Sequence, residues 1–365
     1  MFSWIRRLFG KQQPTGPAGA IAPAATTDAT TSAPAQEPAA ADAGVVHITI
    51  VDNLSTGSGT PDTVPTMHAE PSFAERLTAQ LAVVERLRAE HPVASQQPDA
   101  SALLQMLQDG PDALIRQLPA AARDTMALVD DQSLSRSRLA EALGRDPALV
   151  QGLLRAANSA AFGAGRDAVL SVSQALDRIG VTGTRAVVLA SCVDGLLSHP
   201  GGEYNVMASQ VWSHMVRTAP LARVVAPAFA ADADEAFAVA LLHDVGKLAI
   251  FDRMSVLRGS RRRPLVLDTS FVHELLQLLH EPLGALAADR WGMGARAASA
   301  IGQHHRTQPM SSRDTLAESL YLAERADHAA RKNQPLDLDG LWAAGRLTGS
   351  PARAGDALRR VTLAA

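Results

Sequence analysis

The feature that most constrains this chain is a succession of helical periodicities running almost without interruption from Asp112 to Arg331. Apolar residues recur there at three-to-four spacing, and Gly or Pro marks the stops. The segments 120–130, 135–143, 146–157, 171–180, 182–198, 206–229, 235–251, 270–280, 282–291, 294–305 and 314–331 therefore each read as a helix. Local signals fix several ends. Asp146-Pro147 supplies a cap and a proline at the first helical position, Gly180 closes one helix, and Pro220 falls inside a long pattern where a kink is expected. Aromatic residues make up only 4% of the chain, while alanine and leucine abound, so the expected fold class is all-α.

The flanks differ from this core. From Gln12 to Glu75 there is no lysine or arginine, and Ala, Pro, Thr, Gly and Ser dominate. Such text buries too little apolar surface to offset the entropy of ordering it, so residues 12–71 read as a disordered linker. One island, Val45 to Leu54, is rich in β-branched residues and suits a docking segment, since an isolated strand is not stable alone. Residues 72–111 read as connector helices packed on the helical body that begins at Asp112: Ser72 and Glu75 form a capping box, Pro92 lies beyond the end, and Gly110-Pro111 stops a second helix begun near Asp99. Residues 333–365 read as a tail of short helices, one starting at Ser350-Pro351. Residues 1–11 place Phe2, Trp4, Ile5, Leu8 and Phe9 beside Arg6, Arg7 and Lys11, the composition of an interfacial membrane anchor rather than of a signal peptide.

Charge and cysteine content exclude several classes. At 365 residues there is room for one large or two modest domains, and a net charge of -3 gives no strong nucleic-acid signal. Cys192 is the single cysteine, which rules out internal disulfides and cysteine-rich zinc modules. A reducing, cytoplasmic location is expected, with peripheral contact at the inner membrane surface if residues 1–11 meet lipid. No apolar run reaches the roughly 18 residues of a membrane-spanning helix.

Within Glu235 to Ile250, EAFAVALLHDVGKLAI, the helical pattern is interrupted by His243, Asp244, Gly246 and Lys247, which a buried helix has no packing reason to hold. Imidazole and carboxylate both suit divalent ions, but an isolated His-Asp pair is more often a satisfied core histidine with its neighbour. Other polar residues alter that balance. His214, His280, His304, His305 and Asp327 each fall on or at the end of a different expected helix, and the helices of a bundle can bring such residues to one level. Histidine and carboxylate in this proportion suit one or two divalent transition ions: Fe, Mn, Ni or Zn.

The order His, His-Asp, His, His-His, Asp on successive helices resembles the HD superfamily of metal-dependent phosphohydrolases, and the wider text resembles its HDOD branch, the HD-related output domain. The resemblance is carried by RDPALVQGLLRAANSAAFGA from Arg145, SVSQALDRIGVTGTRAVVLA from Ser171, Trp212 with His214, FAVALLHDVGKLAIF from Phe237, and EPLGALAADRWGM with IGQHH downstream. It implies a domain over residues 112–332, with a helical N-terminal lobe at 112–200 and an HD-like bundle at 201–332. It also implies a bacterial signal-transduction role as an output or interaction module with a signalling protein partner. This sequence keeps every class of ligand position, although it has RTQPM after His304-His305 instead of Gly-Tyr-Pro, and Met215 where a small hydroxyl residue is common.

The chain admits two functional readings. In the enzymatic one, a metal-dependent phosphohydrolase acts on a nucleotide or cyclic nucleotide. His214, His243, Asp244, His280, His304, His305 and Asp327 hold the metal, Asp244 bridges two ions, and Lys247 neutralises a phosphate. Arg306, or the basic run Arg261 to Arg263, would hold the anionic substrate, although charge runs are usually solvated loops. In the other reading the histidines form a structural centre, and the surface around Asn158, Ser159 and Phe162 meets a partner. Asn158 also suits a helix C-cap before Gly163.

Overall fold

The computed structural model describes residues 45–46, 48, 50–51, 72–108, 114–118, 120–163, 166–196, 203–305, 314–361 and 363–364. The segment 1–11, most of the linker 12–71 and Arg306 lie outside the described residues. The first helix, α1 (Phe73–Glu90), opens with the expected capping box: the Ser72 side chain accepts from Glu75 N, and Glu75 accepts from Ser72 N at 2.7 Å. Its residues Arg76, Gln80, Val84 and Leu87 are buried, a stripe at helical spacing. After the short α2 (Pro92–Gln96) comes α3 (Pro98–Leu107).

These connector helices belong to the folded body. Helix α1 lies on α12 (Thr269–Arg290), and α3 lies on α11 (Val245–Gly259). An ion pair fastens the second contact. Asp99, 1% exposed, accepts from Arg263 Nη1 at 2.7 Å, Arg263 Nη2 at 3.0 Å and Val266 N at 3.0 Å, and Arg261 Nε lies 3.4 Å away. Burial works to raise the Asp99 carboxyl, but the hydrogen bond from Arg263 and that from Val266 outweigh it and hold the group below its ordinary value. The basic run is exposed, as expected of a solvated loop, but Arg261 and Arg263 are also engaged by a carboxylate 164 residues earlier in the chain than Arg263.

The next group of helices is α4 (Ala120–Asp130), α5 (Arg136–Leu143), α6 (Pro147–Ala157), α7 (Ala160–Gly163) and α8 (Val172–Leu196). Gly180, with φ 75°, interrupts α8 where a helix end is expected, a conformation that glycine adopts without a Cβ penalty. Helix α8 packs on α6 and also on α10 (Ala233–Leu242), so it joins the two groups of helices. Asn158 directly follows α6 as expected of a C-cap, its N–H donating to Leu154 O at 3.1 Å, and its side chain also donates to Val169 O at 2.9 Å and accepts from Val169 N at 2.7 Å, closing the loop ahead of α8. One expectation is corrected here. Phe162 is not a free surface, because it is buried edge-on against Phe237 with the Arg223 guanidinium 4.2 Å from its ring centre.

The second group begins with α9 (Glu203–Val225), which carries Pro220 inside it and continues into a 3-10 turn at Ala226–Phe229. Helix α9 packs between α10 and α14 (Thr315–Arg331), while α12 packs on both α11 and α13 (Ala295–Ile301). The segment 235–251 is two helices rather than one, broken at His243-Asp244. The reverse holds for 270–280 and 282–291, which form the single helix α12 through Pro282. Proline removes the bond to the carbonyl of Leu278, a residue on the exposed side of α12, where water can satisfy the freed oxygen. Two tail helices, α15 (Leu338–Gly345) and α16 (Pro351–Arg359), pack on α14 and α9 respectively, with Ser350 capping α16 as expected.

The β-branched island finds the partner that a lone strand lacks. Strand β1 (Val45–Val46) pairs antiparallel with β4 (Leu363–Ala364), and β2 (Ile50–Val51) pairs parallel with β3 (Leu336–Asp337). Ile48, between them, is buried.

Candidate metal centre

The break between α10 and α11 is where the site begins. His243 ends α10, and Asp244 takes the N-cap position of α11 without making a side-chain capping bond. Its carboxylate points into the bundle, while the positive end of the helix favours the negative charge there. Gly246 makes this turn possible: a Cβ at that position would lie 2.0 Å from His280 O and 2.7 Å from Gly284 N, so α11 and α12 touch backbone to backbone. His280 and Asp244 are thereby held at one level.

Around Asp244 the structure gathers five histidines from four elements. Oδ2 of Asp244 lies 3.6 Å from His243 Nε2, 3.9 Å from His214 Nε2 on α9, and 2.7 Å from Lys247 Nζ. Its Oδ1 lies 3.8 Å from His280 Nε2 on α12 and 3.8 Å from His304 Nε2 beyond α13. His305 completes the set with its Nε2 2.8 Å from that of His280. Two groups of potential ligands result, His214-His243-Asp244 and His280-His304-His305, and Asp244 presents one oxygen to each side.

The orientation of the rings carries chemical information. Nδ1 of His243 donates to Ala240 O at 2.8 Å, that of His280 to Leu276 O at 2.7 Å, and that of His304 to Ile301 O at 2.7 Å. A carbonyl only accepts, so each of these Nδ1 atoms holds the proton and each Nε2 turns a lone pair inward. His214 and His305 face carboxylates in the same manner: His214 Nδ1 is 2.7 Å from Asp327 Oδ2, and His305 Nδ1 is 3.2 Å from Glu324 Oε2. The centre therefore contains acceptor facing acceptor, with His214 Nε2 3.2 Å from His243 Nε2 and His280 Nε2 2.8 Å from His305 Nε2. Only a proton or a cation relieves such contacts. Asp244 Oδ1 and His304 Nε2 are also buried with no hydrogen-bond partner among the described residues.

Electrostatics agree with a ligand role for the inner rings; at the edge, burial works to lower His305, but its hydrogen bond to Glu324 outweighs that and holds the imidazole above its ordinary value. Burial pushes the His243 imidazole down to about 4 and that of His280 down to about 3, both against the pull of Asp244, and burial holds His304 well below its usual value. These rings are neutral near pH 7, the form that binds metal. Burial opposes ionisation of Asp244, but His243 and Lys247 outweigh it and keep the carboxyl well below the ordinary range. Residues present thus fit one or two divalent ions, with neutral imidazole and carboxylate as donors.

Of the seven expected ligands, six converge. Asp327 lies behind His214, where its Oδ2 accepts from His214 Nδ1 and its Oδ1 accepts from Arg217 Nε at 2.8 Å. Sequence reasoning does not single out Arg217, Glu281 or Glu324. Glu281 accepts from His305 N at 2.9 Å, and burial raises its carboxyl. The usable signal is spacing: Arg217 comes three residues after His214, and Glu324 precedes Asp327 by three, so each shares a helix face with an expected ligand. The inner candidate ligands His243, Asp244, His280 and His304 are 0 to 1% exposed, whereas His214 at 13%, Lys247 at 20% and His305 at 23% form the open edge.

The all-helical bundle and its histidine-carboxylate centre define an HD-like domain. Comparison with family models matches residues 115–307 to the HDOD domain, and the chain belongs to that family. An "Uncharacterized protein" of Treponema pallidum is 25% identical over 201 residues, covering 52% of this chain; the chain spans 37% of that relative's length. Among crystal structures, a "Putative phosphohydrolase" from Shewanella amazonensis has 22% identity and a TM-score of 0.50, covering 71% of this chain and 97% of that one. A "Putative metal-dependent phosphohydrolase" from the same organism has 17% identity, a TM-score of 0.50, and coverage of 71% and 99%. At these identities the likeness to the two structures concerns the fold.

Proposed function

We propose that the chain is a bacterial signalling module whose HD-like bundle, within a domain of residues 112–332, holds one or two divalent ions and hydrolyses a phosphoester of a nucleotide or cyclic nucleotide. The observation that carries this reading is the set of inward lone pairs, above all the two Nε2-to-Nε2 contacts at 3.2 and 2.8 Å. His214, His243, Asp244, His280, His304, His305 and Asp327 would hold the divalent ions, which when bound would supply Lewis acidity toward a phosphoryl oxygen and a nucleophile usable at neutral pH. Lys247 at the open edge neutralises substrate charge while holding Asp244 Oδ2. The buried carbonyls of Ala240, Leu276 and Ile301 keep the imidazoles in a single tautomer, so no reorganisation is needed when substrate arrives.

A second reading rests on the near-complete burial of the four inner ligands. There the centre holds an output module together, and the module acts by binding a signalling protein. Metal analysis of the purified full chain, combined with assays on cyclic dinucleotides, nucleoside phosphates and a generic phosphodiester with Mn, Fe or Ni, separates the two. Metal-dependent turnover is the expected result. Bound metal without turnover leaves the interaction module, and a stable, metal-free chain without turnover overturns the centre altogether.

Residues 1–11 carry a separate proposal, that they give peripheral contact with an anionic membrane surface through Arg6, Arg7 and Lys11 and the neighbouring apolar residues. No helix among the described residues is long and apolar enough to cross a membrane. A fluorescent fusion of the full chain is expected at the cell periphery and should become diffuse when residues 1–11 are removed. A diffuse signal from both refutes the contact.

A further inference from the structure

Residues 45–51 make two pairings of opposite sense with two places 27 residues apart in the C-terminal tail. Val45–Val46 run antiparallel to Leu363–Ala364, and Ile50–Val51 run parallel to Leu336–Asp337. One short segment thus bridges the start of the tail, ahead of α15, and its far side, beyond α16. Each sheet has two strands among the described residues, so without 45–51 both β3 and β4 are bare edges, and a bare edge is a template for another extended chain. Side chains add to the main-chain pairing. Ile48 is 8% exposed and Ile50 packs against the core, while Leu336, Leu338 and Val361 are buried at the two ends of the tail.

The middle of the tail is anchored by its own residues. Trp342 stacks on Phe229 with ring centres 5.5 Å apart and donates from Nε1 to Gly349 O at 2.9 Å. Ser350 N donates to Ala228 O at 2.9 Å, and Thr348 Oγ1 donates to Oε2 of the buried Glu318 at 2.8 Å. These contacts tie residues 342–350 to the 3-10 turn and to α14 whether or not the strands are paired. The hold of residues 45–51 is of another kind. Two ladders of two residues each are marginal by themselves, and the segment is joined to α1 through residues 52–71.

We propose that the two ends of the C-terminal tail form a strand-binding surface, and that its occupant is residues 45–51 of the same chain, seated reversibly as a tethered ligand. Recognition is by strand addition: main-chain bonds to β3 and β4 give affinity, and the apolar anchors Ile48 and Ile50 give selectivity for an extended, β-branched segment. Unseating opens both edges at once, because one segment covers both. The tether sets the strength required. A ligand joined through a linker of this length meets its site at an effective concentration on the order of 1 mM, so a segment that is mostly seated binds in trans with a Kd below about 1 mM. The proposal is independent of the metal centre, and neither stands or falls with the other.

Three measurements on the full chain test it. The double variant Ile48→Asp with Ile50→Asp puts charge at both anchors and empties the surface while leaving the helical body untouched. Hydrogen exchange is expected to show loss of protection at 336–337 and 363–364 with none at 342–350; unchanged protection at both ends overturns the proposal. A fluorescently labelled peptide, GVVHITIVD, the sequence of residues 44–52, is expected to bind this variant with a Kd below about 1 mM and to bind the native chain far more weakly, because there the surface is filled. No binding to the variant up to that concentration overturns the proposal, as does equal binding to both chains. The third measurement fixes the occupant. Paired Cα atoms of an antiparallel ladder lie about 4.5–5.5 Å apart, within the span of a disulfide. Val46→Cys with Leu363→Cys, in a Cys192→Ala background, is therefore expected to oxidise to a monomeric cross-linked chain. A disulfide-linked dimer in its place seats a second copy's segment on the surface and overturns the assignment to the same chain.

Discussion

Asp244→Asn abolishes metal uptake and any turnover while leaving the helical fold in place. Asp244 faces both groups of histidines, with Oδ2 toward His214 and His243 and Oδ1 toward His280 and His304. Asparagine keeps the volume but removes the charge and half of the lone-pair donors, so the loss of affinity should exceed the roughly 100-fold that outer-partner substitutions reach. The effect on metal-free stability has a different sign of argument. A buried carboxylate is removed, its partner Lys247 sits at the open edge where water can take over, and the new amide N–H groups can donate to the unprotonated Nε2 atoms. A change within about 1 kcal/mol in metal-free stability is therefore expected. Metal titration by calorimetry and denaturant unfolding of the metal-free chain check the two halves. Uptake with native affinity would remove Asp244 from the centre, and collapse of the metal-free fold would show that its role is structural.

How much of this was legible in the sequence depended on how local the determining physics is. Ser72 with Glu75, Ser350 before Pro351, and Gly180 all sit where the sequence puts them, because capping and left-handed φ are decided within a few residues. The histidines of the centre were legible for a related reason: five histidines and an aspartate in an apolar background have no packing purpose, and their order on successive helices matches a family that the chain belongs to. What escaped is contact between distant segments. The periodicity of residues 235–251 runs smoothly across His243-Asp244, so only the approach of α12 reveals the break there. Pro282 looks like a stop until the exposed side of α12 is known. Arg263 looks unpartnered until Asp99 is found beside it, and Glu324 is indistinguishable from a surface glutamate until its neighbour His305 is placed.

Gly246→Ala should damage the fold and the centre together, and it does so for a reason confined to one ångström-scale contact. Gly246 is helical, with no positive φ to explain its identity, so backbone freedom is not the cause. The cause is space. A Cβ there would stand 2.0 Å from His280 O, 2.8 Å from His280 C and 2.7 Å from Gly284 N. All three are main-chain atoms of α12, and no rotamer change moves them. The helices must separate by more than an ångström, opening a seam lined by Val245, Leu248, Leu279 and Leu283, all buried. Overpacking of side chains alone costs about 1–3 kcal/mol, and a backbone clash belongs at or above the upper end of that range. For a folded body of this size about 3 kcal/mol corresponds to a drop in Tm on the order of 6–12 °C. His280 moves with its helix, so its Nε2 leaves the position 3.8 Å from Asp244 Oδ1 and metal affinity falls as well. Gly259, at the other end of the same helix, supplies the control: a Cβ there meets nothing within 4 Å, so Gly259→Ala should be neutral or stabilising by about 0.5–1 kcal/mol. Thermal unfolding of the two variants side by side decides the matter. Equal, native-like Tm values would mean that the α11–α12 contact is looser than the structure has it; a loss at 246 with none at 259 ties the glycine to the backbone approach that sets the level of His280 against Asp244.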